Sequence, residues 1–255
     1  MRRREKFVIA SALLSLGLLA VQSTALELRY VAVGIFSLAA YAMATWALRD
    51  DLQFHERFTV VPLPVLYAAS VALFYFLLPD SVLSKVFILV LFGVGMYALF
   101  LTANIYSVAK GRTIQLLHAA HAVGLLFTML TSLLFANTIF SLRLPFYINP
   151  LLIGLVHYPL VFMSLWSVKL ENEVTIRISS LAAVLTMILM EIALLLSFYP
   201  LTVWYNALFT MATMYIGLGI LHNYLKGRLF SRTLTEYSIL AVFVGALFLL
   251  VFPLK

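Results

Sequence analysis

One acid and four histidines lie inside apolar runs of this chain, and they are its candidates for chemistry: Glu191, His118, His121, His157 and His222. A carboxyl group in hydrocarbon costs about 2.5–3.5 kcal/mol on insertion scales, so such an acid marks a functional site by default. Depth follows from the helical rise of about 1.5 Å per residue, which puts Glu191 about 15 Å from one membrane face and His157 about 10 Å from the same face. Pro159, two residues after His157, removes a backbone donor and should kink its helix, freeing a carbonyl that needs a partner. Glu191 with His157 therefore reads in two ways. The pair is a proton- or ion-binding site, or it is a polar clamp that satisfies the kink. Ser180, Ala183 and Met187 share the helical face of Glu191, a small and partly polar stripe expected to face protein.

Near the opposite face, His118 and His121 lie about 6 and 10 Å deep on one helix, His222 about 5 Å deep on another and Asn104 about 8 Å deep on a third. Gln115 precedes the two histidines at the same three-residue spacing. Neutral imidazole is a frequent metal ligand, so His118, His121 and His222 are weak candidates for a metal or haem site. Zinc needs three or four ligands with outer partners, and His-x-x-His by itself is a weak signal. The plainer reading is hydrogen bonding between helices near the interface. No cofactor is predicted from this pattern.

The elements that must hold these groups are transmembrane helices. The chain has 255 residues, 64% of them hydrophobic and 11% charged, with a mean hydropathy of +1.06. Soluble domains carry about 25% charged residues, so lipid must be the solvent here. Stretches of about 20 apolar residues mark nine spans, at 7–26, 30–48, 59–78, 86–109, 114–138, 150–168, 178–201, 203–225 and 237–254. The expectation is an all-α polytopic bundle forming a single integral membrane domain over 1–255, with no soluble domain. Its loops run to about ten residues, too short to bury a core. The odd span number and the lack of internal similarity argue against a simple two-fold repeat.

Alternating the loops puts 13 of the 17 Lys and Arg residues on one side and four (Arg29, Lys85, Arg143, Lys255) on the other. The positive-inside rule then sets the N-terminus in the cytoplasm and the C-terminus outside. Phe146, Tyr147, Phe198, Tyr199, Trp204 and Tyr205 cluster at proposed outer ends, and Trp46, Trp166 and Tyr224 at inner ends, as interfacial aromatics do. A rival reading takes the basic start, the apolar run and Ser23-Thr24-Ala25 as a signal peptide. The net charge of +7 is spread between spans with no basic run interleaved with aromatics, so no nucleic acid partner is expected. The expected partners are the bilayer and a membrane protein or a second copy. Ala40/Ala44, Ala120/Gly124 and Thr213/Gly217 are small-xxx-small pairs that permit close helix approach.

Several chemistries are removed by the residues themselves. Cysteine is absent, which excludes disulfides, thiolate metal sites and cysteine nucleophiles. No lysine lies mid-span to form a Schiff base. Asp50-Asp51 lacks the next acid of the prenyl transferase motif, since Leu52-Gln53-Phe54 follow. The phosphate-cradling and dinucleotide glycine motifs, H-E-x-x-H and G-x-S-x-G do not occur. Glu27 and Asp80 are the only acids on the outer side, too few to hold a metal for lipid-linked sugar transfer. The runs RTIQLLHAAHAVG, FSLRLPFYINP and SLWSVKLE resemble an uncharacterised family of multi-spanning bacterial membrane proteins. That resemblance implies a bacterial cytoplasmic membrane and assigns no functional residue. The leading expectation is a carrier or membrane-assembly component with an intramembrane acid, leaning away from an enzyme. The alternatives are a metal- or haem-dependent enzyme or redox protein, and a structural scaffold for a partner.

Overall fold

A computed structural model describes residues 3–50, 52, 56–78, 81–109, 116–170, 175–199 and 201–251. Most of the described residues are helical, with no strand among them, and nine of their helical stretches are long and apolar enough to cross a membrane. Helices are the economical answer for such a sequence, because in hydrocarbon every backbone N–H and C=O must be satisfied within its own segment. In order they are α1 (Arg3–Gln22), α2 (Arg29–Ala47), the short α3 (Glu56–Thr59), α4 (Pro62–Tyr75), α5 (Val82–Val108), α6 (Leu116–Ser141), α7 (Ile148–Lys169), α8 (Ile176–Ser197), α9 (Val203–Leu225) and α10 (Ser231–Val251). A 3₁₀ turn at Leu26–Leu28 joins α1 to α2.

The third span departs most from expectation. It is expected as one helix over 59–78, but α3 stops at Thr59, Val60 and Val61 form a turn, and α4 starts at Pro62 and ends at Tyr75. Pro62 and Pro64 explain the restart: proline is tolerated in the first helical turn, where its missing donor costs nothing, and disrupts a helix interior. Elsewhere the ends shift by a few residues. The eighth helix closes at Ser197 rather than at 201, which matters for Glu191 below. Lys110, Arg112, Gln115, Asp51 and Asp80 lie outside the described residues.

The chain gathers into two compact units, Met1–Thr131 and Ser132–Lys255, the boundary falling inside α6. In the first unit α1 packs on α2, α4 and α5, and α4 packs on α2 and α5. Phe7, Ala10, Leu14, Leu18 and Val21 form the buried stripe of α1, spaced by three and four residues as a helix face requires. Tyr67 stacks on Phe92 at 5.7 Å between ring centroids and meets the Phe127 ring edge-on at 5.1 Å, and Phe36 adds to the cluster. Gly95 lets these rings close, since a Cβ there would lie 2.9 Å from Phe127 Cε1. Ala40 and Ala44 are fully buried.

In the second unit α7 packs on α8 and α9, α8 packs on α9, and α10 packs on α9. Two glycines set the approach distances. A Cβ on Gly154 would press on Met190, and one on Gly217 would enter Leu185. The expected close-approach role of the Thr213/Gly217 pair is thus met by the glycine. No described residue of α10 is buried; it rests on α9 through Phe248, which meets Phe209 and Tyr199 edge-on.

Candidate functional site

Within the second unit α6 and α7 form a hairpin around a turn at residues 142–147, with Arg143 in the left-handed region at φ 49°. Ser132 and His157, 25 residues apart, are equidistant from the centre of that turn, so antiparallel helices bring them to one level. Both are 0% exposed. The imidazole Nδ1 lies 2.9 Å from the Ile153 carbonyl oxygen. A carbonyl only accepts, so Nδ1 carries the proton and Nε2 offers a lone pair. The Ser132 hydroxyl, 2.8 Å away, donates to that lone pair. The connectivity is that of a hydroxyl held by a base whose other nitrogen is oriented by an acceptor. Both side chains are sealed by packing, and the hydrogen bond joins α6 to α7.

These contacts differ from the polar clamp expected at Pro159. His157 serves Ile153, not the carbonyl of Leu155 that Pro159 frees, and it does not meet Glu191. Ser132 is the member the sequence reading missed. Its signal was present as equal distance from the hairpin turn, legible only once the α6–α7 pair is taken as antiparallel neighbours.

Glu191 lies on the opposite side of α8 from the packing face. Ala182, Leu185, Leu189, Ala193 and Leu196 turn inward, and Glu191 is exposed, as are Ser180, Val184, Met187, Leu195 and Phe198. Leu189 precedes Glu191 by two positions and Ala193 follows by two, which at about 100° per residue sets Glu191 roughly 160° from each. Of the stripe expected to face protein, Ser180 and Met187 therefore face outward and Ala183 is half-buried, because the fit of α8 to α7 and α9 uses the other side. Glu191 makes no hydrogen bond or ion pair among the described residues. The early end of α8 leaves it six residues, about 9 Å, from the helix terminus.

The other three candidate histidines divide between the units. His118 is exposed and His121 half-buried on α6 in the first unit. The His121 ring lies 5.6 Å from that of Tyr106 on α5, whose hydroxyl donates to the Ala120 carbonyl at 3.0 Å. A Cβ at Gly124 would collide with that hydroxyl, so the Ala120/Gly124 pair does provide the close approach expected of it. His222, on α9 in the second unit, places Nε2 3.1 Å from both the hydroxyl and the carbonyl oxygen of Ser164 on α7. The carbonyl fixes Nε2 as the donor, and the bond ties α9 to α7. No group of three or more His, Cys, Asp or Glu able to hold a metal ion occurs among the described residues.

Further polar links hold this unit. Asn149 Nδ2 donates to Ser197 Oγ at 3.0 Å, Tyr158 and Ser179 share a hydrogen bond at 2.9 Å, and Arg177 bonds the Tyr224 hydroxyl. A cleft of about 400 Å³ opens among α8, α9 and α10, lined by Leu196, Phe209, Val244 and Phe248 with Thr213 and Tyr199; none of these is an acid, base or metal ligand at neutral pH. Comparison with protein-family models, with curated proteins and with solved structures finds no match for this chain.

Proposed function

We propose that this chain is a multi-pass protein of a bacterial cytoplasmic membrane, N-terminus inside and C-terminus outside, that works by assembling with another membrane protein through the outward face of α8. The observation that carries the reading is the contrast between the two polar groups of the spans. His157 is sealed and saturated, whereas Glu191 is exposed on an apolar stripe with no partner among the described residues. A carboxyl left in lipid is costly, and such residues face a bundle interior, a water-filled cavity or a partner. A bound partner removes that cost. The carrier version needs Glu191 and His157 at one site, and both ring nitrogens of His157 are already engaged by Ser132 and Ile153.

The bacterial membrane follows from the resemblance of three sequence runs, and the orientation from the 13-to-4 division of basic residues. The test is the size of the native particle in mild detergent. Wild type is expected to run as a complex larger than one 28.6 kDa chain with its detergent, and Glu191→Leu to fall to the single-chain size with unchanged helicity. Equal particle sizes for the two proteins would refute the assembly reading.

A further inference from the structure

The partner that best suits this face is a second copy of the same chain. Along α8 and its capping residue Phe198 the exposed residues Ser180, Val184, Met187, Glu191, Leu195 and Phe198 follow one another at intervals of four, three, four, four and three, the spacing of a straight seam on a helix. Met187 is 64% and Val184 57% exposed. Lipid alone would account for every member of this seam except Glu191. One ionisable residue in an otherwise uncharged helical seam matches the pattern that fixes register and oligomeric state between helices.

Resting on the assembly reading, we infer that two copies pair about a two-fold axis along the membrane normal, α8 against α8, with the Glu191 carboxyl groups hydrogen-bonded to each other. Two arguments favour a like partner. Copies inserted with the same topology carry Glu191 at the same depth, so an isologous contact brings the two carboxyls level without any further device. A carboxyl group is also self-complementary: holding a proton it donates through O–H and still accepts through the other oxygen, and two carboxyls in contact can share one proton. A base in a foreign helix would serve as well, but the spans of this chain offer no mid-span Lys or Arg, so the complement available within the chain's own chemistry is the acid itself. Val184 and Met187 on one side and Leu195 on the other then cover the carboxyl pair with apolar packing, which strengthens the hydrogen bond by excluding water.

The chain contains no cysteine, so cross-linking needs no background removal. Single cysteines would be placed in the full chain at Val184, Met187 and Leu195, and as exposed controls at Leu155 on α7 and Leu38 on α2, then oxidised in phosphatidylcholine vesicles. Disulfide-linked dimers are expected from the three seam positions and not from the two controls. Photobleaching of singly labelled wild type in the same vesicles should give two steps. Glu191→Leu should weaken the dimer about tenfold, the scale of one interhelical hydrogen bond in lipid, and Glu191→Gln, which still donates and accepts, should keep it. One-step bleaching of wild type, equal cross-linking at Leu155 and Leu38, or an undiminished Glu191→Leu dimer would each overturn the pairing. A wild-type particle that depends on Glu191 but holds one copy and a different protein would overturn self-pairing while leaving the assembly reading standing. A wild-type particle of one chain only would end both. The cysteine variants retain Glu191, so they decide the question even if Glu191→Leu fails to fold.

Discussion

At the scale of single residues, the second unit is pinned by imidazoles whose tautomers are dictated by carbonyl groups. His157 donates through Nδ1 to Ile153 and accepts from Ser132, and His222 donates through Nε2 to Ser164. A double-mutant cycle on Ser132→Ala and His157→Phe, read by unfolding in mixed micelles, should return a coupling energy of about 0.5–1.7 kcal/mol, the range for interhelical hydrogen bonds in membrane proteins. A coupling near zero would mean that the bond does not survive in the micelle. In the first unit Lys6 Nζ lies 2.7 Å from Asp50 Oδ2. The hydrogen bond from Lys6, aided by the charges of Lys6, Arg3 and Arg49, holds the Asp50 carboxyl below its ordinary value of 3.8. A depressed carboxyl favours the folded state above the unfolded pKa, and that contribution is lost as pH falls through the folded one. In Lys6→Met the Asp50 carboxyl should therefore titrate at a higher pH, closer to 3.8, as followed by carbon NMR; an unmoved titration would show that Lys6 does not hold it.

At the scale of elements, glycine and proline decide where helices start and how closely they pack. Gly95 and Gly34 make a matched pair for testing this. A Cβ on Gly95 meets Tyr67 and Phe127, whereas one on Gly34 meets nothing within 4 Å. Gly95→Ala should destabilise the protein by about 1–3 kcal/mol through overpacking. Gly34→Ala should be neutral or stabilise by about 0.4–1 kcal/mol through the unfolded chain. Thermal unfolding of both variants in one detergent checks the pair, and similar shifts would refute the packing argument. The restart of the third span at Pro62 belongs to the same scale. Both prolines are plain in the sequence, yet hydropathy alone runs straight through them, because Val60 and Val61 are as apolar as the helix they interrupt.

At the scale of the whole molecule, the division of basic residues makes a topology prediction. Cysteines introduced at Thr24 and Thr202 should react with a membrane-impermeant maleimide in intact cells, and those at Thr175 and Ser231 only after the membrane is opened. The reverse pattern would invert the proposed orientation, and labelling of all four would break the span count.

The sequence by itself determined the helical class and the nine apolar segments, because the demand for about 20 apolar residues and for internally satisfied backbone is local to each segment. It also singles out His157, His222 and Glu191, since each is conspicuous among aliphatic neighbours. It did not determine which way they face. All-round apolar helices carry little amphipathic signal, so the inward side of α8 is chosen by the contacts of Met190 with Gly154 and of Leu185 with Gly217. Those contacts join residues distant in the chain. They turn Leu185, Leu189 and Ala193 inward and Glu191 out. The hairpin that levels Ser132 with His157 likewise exists only when α6 and α7 pack. Tertiary structure thus keeps His157 apart from the exposed Glu191 and gives it Ser132 as a partner.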